Sequence, residues 1–254
     1  MIEKDNYTFN EKYNCYFCND GRAYETVENY ARNNFAKYAN KNDDEIKTIL
    51  VIGAYNGQEI NIYLHKYKNA TIYAFEPIYD VFQNLVNTFG KNERIKLYNF
   101  AVADFAGESN FYILSSNLNN TADGSSSLLE FQADKLGHNY KIGKVVKVKT
   151  IRLDDIEELS DKQIDYMQVD VQGAELLVLK GSTKTLKNVN TLMLEVKTEE
   201  FTEPWDSPDF QMYKGMCYMQ DLVNFLTNFD IKPYLVGVDN ESKNGQGNSF
   251  WIRS

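Results

Sequence analysis

Metal-binding and redox side chains are scarce in this chain, which has two His and three Cys among 254 residues. Cys15-x-x-Cys18 has the spacing of half a zinc site, but such a site needs a second ligand pair. Cys217 and the two His lie far away in sequence, so no metal is expected and the thiols read as buried or free. Long apolar runs are missing too. None approaches the roughly 18 residues that would span a bilayer, and the opening MIEKDNYTFNEKYN lacks the apolar stretch of a signal peptide. A cytoplasmic protein without a membrane span is the expectation. Basic charge is also short: 27 Lys and Arg against 36 Asp and Glu give a net charge of −9. That balance disfavours a dedicated nucleic-acid binder, which needs a basic patch to neutralise phosphates. What remains is ordinary globular composition, 43% hydrophobic and 25% charged.

Residues 1–45 read as a polar arm followed by an amphipathic helix, and residues 46–254 as one folded domain. In the helix Tyr24–Tyr38, Val27, Tyr30, Ala31 and Phe35 recur at helical spacing. It either packs on the domain or pairs two chains as a homodimer. From Thr48 the pattern alternates: strand Thr48–Ile52, helix Asn56–His65, strand Thr71–Phe75, helix Tyr79–Phe89, strand Ile95–Phe100. Strands separated by helices of this length predict βαβ units, a parallel sheet and an α/β fold. Right-handed crossovers bring the strand C-terminal ends to one edge, with a pocket above them. Later come an extra strand Gly107–Leu114, a polar loop, strands Lys144–Arg152 and Ile164–Val171, helix Ala174–Lys180 and strand Thr191–Val196. After the loop Lys197–Gly215 and helix Cys217–Phe229, a hairpin of Lys232–Val238 and Ser249–Arg253 closes the chain.

Four stretches carry chemistry. Gly53-Ala54-Tyr55-Asn56-Gly57 links the first strand to its helix, but lacks the G-x-G-x-x-G spacing that admits a pyrophosphate. The looser turn suits a ligand without phosphate, such as S-adenosylmethionine, with helix N–H groups available to its carboxylate. Glu76-Pro77 closes the next strand about 20 residues on, where a carboxylate can accept both hydroxyls of a ribose. A helix-capping Glu is the other reading. Ala101-Val102, after the third strand, lies where an adenine would sit. Asp170 ends the apolar strand IDYMQVD on the same edge, as general base or as orienting carboxylate.

The ordered segments GAYNGQ, YAFEP, NFAVADFAGE, SSSL, KTIRLDDI, IDYMQVDVQGAELLVLKG and LMLEV resemble the FkbM-type S-adenosylmethionine-dependent methyltransferases, over roughly Thr48 to Glu195. The resemblance implies a Rossmann-like class I methyltransferase: a seven-stranded, mostly parallel sheet with a C-terminal antiparallel hairpin and, in this chain, an N-terminal helical extension. It implies S-adenosylmethionine as cofactor, bound by Gly53, Ala54, Tyr55, Asn56, Gly57, Glu76, Pro77, Ala101, Val102 and Asp170. A hydroxyl of a sugar, glycan or secondary metabolite would attack the sulfonium methyl, with Asp170, Glu195 or His138 as base and Ser126, Ser127 and Trp205 near the acceptor. The family's Asp two residues before the first glycine is Val51 here, so the cofactor's amino end lacks its usual partner. Asp-x-Glu-Gly has become Asp170-Val171-Gln172-Gly173. A catalytically degenerate binder and a nicotinamide-dependent oxidoreductase remain the alternatives, the second disfavoured by the glycine spacing.

Overall fold

The computed structural model describes residues 6–20, 22–116, 124–132, 140–198, 211–238 and 245–254. Its core begins with β3 (Thr48–Ile52), buried at every position. The chain then steps outward through α2 (Gln58–Lys66), β4 (Thr71–Phe75), α3 (Tyr79–Phe89) and β5 (Ile95–Tyr98). It returns to the far side of β3 with β9 (Ile164–Val169), followed by α4 (Glu175–Lys180), β10 (Val189–Lys197), α5 (Met219–Leu226), β11 (Ile231–Val238) and β12 (Gln246–Arg253). Pairings among β5, β4, β3, β9 and β10 are parallel, while β12 runs antiparallel between β10 and β11. The reversal of strand order between β3 and β9 opens a crevice at their C-terminal ends, where ligands of open α/β sheets bind.

Side-chain alternation along the strands divides the core into two layers. Leu50, Ile52, Met167, Val169, Leu192 and Leu194 face α4 and α5. Ile49, Val51, Ile72, Ala74, Tyr166 and Met193 face the opposite helices. On that second face lies α1 (Ala23–Tyr38), burying Ala23, Val27, Ala31, Phe35 and Ala36, with Phe35 stacked on Tyr166 at 4.3 Å. Helix α1 thus uses its apolar stripe against β11 and β12 of its own chain.

Tyr7–Asn10 (β1) and Cys15–Cys18 (β2) form an antiparallel hairpin, and β2 extends the sheet by pairing in parallel with β11. Among the described residues the sheet therefore has nine strands, in the order β1-β2-β11-β12-β10-β9-β3-β4-β5: seven from residues 46–254 and two added by the arm. Cys15 and Cys18 sit three positions apart on a strand, so they enter opposite core layers and do not converge. Burial pushes the Cys15 thiol up to about 12. No helix among the described residues is long and apolar enough to cross a membrane.

Between β5 and β9 the chain inserts a three-stranded sheet of β6 (Ala101–Val102), β7 (Gly107–Ser116) and β8 (Tyr140–Ile151). Its Phe111 and Val148 pack with Ile78 and Ala101, which seats the insertion beside the crevice.

At Gly237 of β11 the sheet and α1 touch backbone to backbone: a Cβ there would stand 2.1 Å from the Ala23 carbonyl oxygen. Gly237→Ala must therefore push the start of α1 off the sheet. We expect a loss of about 2–3 kcal/mol in urea unfolding, the cost of an overpacked core position. Unchanged stability would mean that α1 is not held against β11.

Candidate active site

The crevice holds a cavity of about 360 Å³, a size common for small-molecule sites. Its floor is the turn after β3. Gly53 and Ala54 both donate N–H to the Phe75 carbonyl, at 3.1 and 2.9 Å. Gly53 has φ +86°, and a Cβ on it would lie 1.9 Å from the Asp170 carbonyl oxygen. Only a residue without a side chain lets β3 and β9 end this close together. Tyr55 is also left-handed, at φ +41°. Asn56 accepts the Gln58 N–H through Oδ1 at 3.1 Å, and α2 begins after Gly57. The left-handed backbone at Tyr55 and Gly57 delays the helix from the expected Asn56 to Gln58.

Glu76, 4% exposed, ends β4 at the cavity wall. One carboxylate oxygen accepts the Tyr55 N–H at 2.9 Å, the other the Ile78 N–H at 2.8 Å. Burial nevertheless raises its pKa to about 7, the two N–H donors opposing that rise. Asn99 gives its amide to the carbonyls of Glu76 and Pro77, at 2.8 and 3.0 Å, and so holds this loop in place.

On the opposite wall, Asp170 donates its N–H to the Ile52 carbonyl and lies at the end of β9. The Gln172 amide nitrogen bridges two carboxylates, reaching Asp170 Oδ1 at 2.7 Å and Glu195 Oε2 at 2.8 Å. Gln246 donates to the other Glu195 oxygen. Burial raises Asp170. Burial, then the charge of Asp170, raise Glu195 well above its ordinary value. Like charges this close do not both ionise readily, so the two carboxyls titrate as a pair, with burial raising both.

Of the residues expected at the site, Gly53, Tyr55, Asn56, Glu76, Pro77, Ala101, Val102, Ser126 and Asp170 line the cavity. Ala54, Gly57, Ser127 and Glu195 do not. Ala54 is fully buried and Gly57 meets Phe89 and Leu85. The Ser127 hydroxyl lies 2.9 Å from the Gln172 carbonyl and 3.2 Å from that of Val171, tying the insertion to the turn after β9. Glu195 acts on the cavity through Gln172. His138 and Trp205 lie outside the described residues. Additional lining comes from Glu59, Gln168, Gln172, Phe100, Phe111 and Leu128. A polar Gln168 in the otherwise apolar run before Asp170 was a readable signal. Leu128 closes the SSSL segment, but nothing local marked Phe111, which reaches the cavity only because the insertion folds over it.

The family model for the methyltransferase FkbM domain matches residues 52–228. The 2-O-methyltransferase NoeI of Sinorhizobium fredii is 26% identical over 188 residues, covering 72% of each chain. Among solved structures, magnesium protoporphyrin IX methyltransferase from Synechocystis is 9% identical, with a TM-score of 0.45 over 91% of this chain and 79% of that one. Aeropyrum pernix fibrillarin is 10% identical, with a TM-score of 0.44 over 83% and 68%. With the family domain spanning both walls of the cavity, the chain belongs to the FkbM methyltransferases and uses S-adenosylmethionine as its methyl donor.

Proposed function

We propose that this protein is an O-methyltransferase acting on a hydroxyl of a sugar, glycan or sugar-like metabolite. The observation that carries the reading is the Asp170–Gln172–Glu195 array, which fixes the half-buried Asp170 carboxyl at the cavity wall. A hydroxyl nucleophile keeps its proton until attack and gains from a carboxylate positioned to take it. The name of the relative NoeI points to the same acceptor atom.

Cofactor fit rests on the donor set. An ionised carboxylate offers about four acceptor sites, and the Glu76 carboxylate uses two on Tyr55 and Ile78. The two left match the two hydroxyls of a ribose. Ala101 and Val102, with Phe100 and Ile78, form an apolar wall for the adenine. When bound, S-adenosylmethionine supplies a methyl group activated on a sulfonium sulfur. The chain's own share is orientation and proton handling. Asp170 orients the acceptor hydroxyl and receives its proton. Gln172 fixes the Asp170 carboxylate, Glu195 anchors Gln172, and the insertion excludes water through Phe111 and Leu128. Ser126 borders the acceptor space.

Incubating the purified protein with S-adenosylmethionine and panels of sugars, oligosaccharides, other alcohols and amines tests this. A product heavier by one methyl, on a sugar oxygen, is the expected result. Methylation of amines alone would overturn it.

A further inference from the structure

Among the described residues, three carboxylates line the cavity: Glu59, Glu76 and Asp170. Glu76 faces the ribose and Asp170 the acceptor in the arrangement above. The methionine end of the cofactor carries an ammonium group, and burying a cation without an anion is strongly unfavourable. The tip of β3 offers none, since Val51 is 1% exposed and packs into the layer beneath α1 and α2. Glu59 is left, in the first turn of α2.

Its surroundings fit a cation. Arg32 of α1 donates to Glu59 Oε1 at 2.9 Å and pairs through the same nitrogen with Glu28. Two carboxylates share one guanidinium, so the cluster carries one surplus negative charge. Glu28 responds to that surplus. Burial raises its pKa first, and the charges of Glu59 and Asp170 add to the rise against Arg32. All three side chains are mostly buried, with 12%, 23% and 21% exposure for Arg32, Glu28 and Glu59, so solvent screens the surplus poorly. Arg32 engages Oε1 of Glu59, and Oε2 remains as an acceptor.

We propose that Glu59, held in place by Arg32, binds the amino group of the cofactor's methionine end. The assignment rests on the orientation with ribose at Glu76. It gives α1 a part in cofactor binding, although that helix precedes the matched family region of residues 52–228. Glu59 is then the binding residue and Arg32 a positioning residue.

Calorimetric titration with two ligands separates the claims. S-adenosylhomocysteine has the amino-acid end; methylthioadenosine keeps the nucleoside and sulfur but lacks it. Glu59→Gln should weaken S-adenosylhomocysteine by roughly 10- to 100-fold, the worth of one charge-assisted hydrogen bond, and leave methylthioadenosine unchanged. Undiminished binding of the second ligand also reports that the variant is folded. Equal weakening of both ligands, or of neither, overturns the proposal. So does a wild type that binds methylthioadenosine as tightly as S-adenosylhomocysteine. Glu76→Ala should weaken both. If it spares both while Glu59→Gln stays selective, the ribose assignment fails and Glu59 keeps its role. A wild type that takes up neither ligand overturns the orientation and the proposal together.

Discussion

Asp170→Asn is expected to lower kcat by roughly 10²–10⁴-fold, the usual contribution of a positioned general base, while cofactor affinity changes far less. The substitution keeps shape and volume and removes the carboxylate proposed to accept the hydroxyl proton. Gln172 can still donate to the side-chain oxygen that the amide retains, so the turn after β9 keeps its hydrogen bond at this position. Stability should move the other way. Burial raises the folded-state pKa of Asp170 above its ordinary 3.8. The resulting stabilisation is complete below that ordinary value and is lost as pH rises through the folded pKa. At about pH 8, above the ordinary carboxylate range, the neutral variant escapes this loss and should unfold at no lower urea concentration than the wild type. Stopped-time product assays and urea curves on one preparation measure both effects. An unchanged kcat would remove Asp170 from proton transfer, whereas an unfolded variant would make it a structural carboxylate.

Glu76→Ala is expected to raise the Kd for S-adenosylmethionine by about 100-fold or more. Two hydrogen bonds to a charged acceptor are each worth roughly 1.5–3 kcal/mol, and about 1.4 kcal/mol is a factor of ten. The change also strips acceptors from the Tyr55 and Ile78 N–H groups, which loosens the turn after β3. Glu76→Gln should fall between, because a carboxamide has only one oxygen and must turn its NH₂ toward one of those donors. The pH dependence follows from the raised pKa of about 7. Below it the protonated carboxyl has lost acceptor capacity, so affinity should weaken as pH falls from about 8 to about 6. That slope should shrink in Glu76→Ala. Folding stability has the opposite slope. The contribution of this carboxyl is fully present below its unfolded pKa and lost as pH rises through about 7. The shift amounts to something on the order of 3 kcal/mol. Calorimetry across this pH range decides; a flat Kd would show that the ionised Glu76 does not hold the ribose.

Much of this arrangement was readable before the fold was known. β3, β4 and α3 coincide with the expected spans, because apolar periodicity and flanking turns are local signals. The N-terminal hairpin was not readable. YTFN and CYFC are short, and β2 gains its place by pairing Tyr16 and Phe17 with Leu235 and Val236 at the other end of the chain. The expected start of α2 fell too early because propensity does not report the left-handed backbone at Tyr55 and Gly57. Ser127 read as an acceptor contact from its Ser-rich loop, yet its hydroxyl meets backbone carbonyls of the turn after β9.

Local pattern in the chain accounts for the alternation of strands and helices, the glycine turn, and the acids at the ends of β4 and β9. Right-handed crossovers then place those ends on one edge, so a ligand crevice there follows from residues close together in sequence. How the charges are shared is a matter of tertiary contacts. Gln172 meets Glu195 across 23 residues of chain, and Arg32 meets Glu59 across 27. Whether a buried carboxylate is an acid, a base or an anchor depends on distances between groups remote in sequence and on the water excluded around them, which no periodicity records.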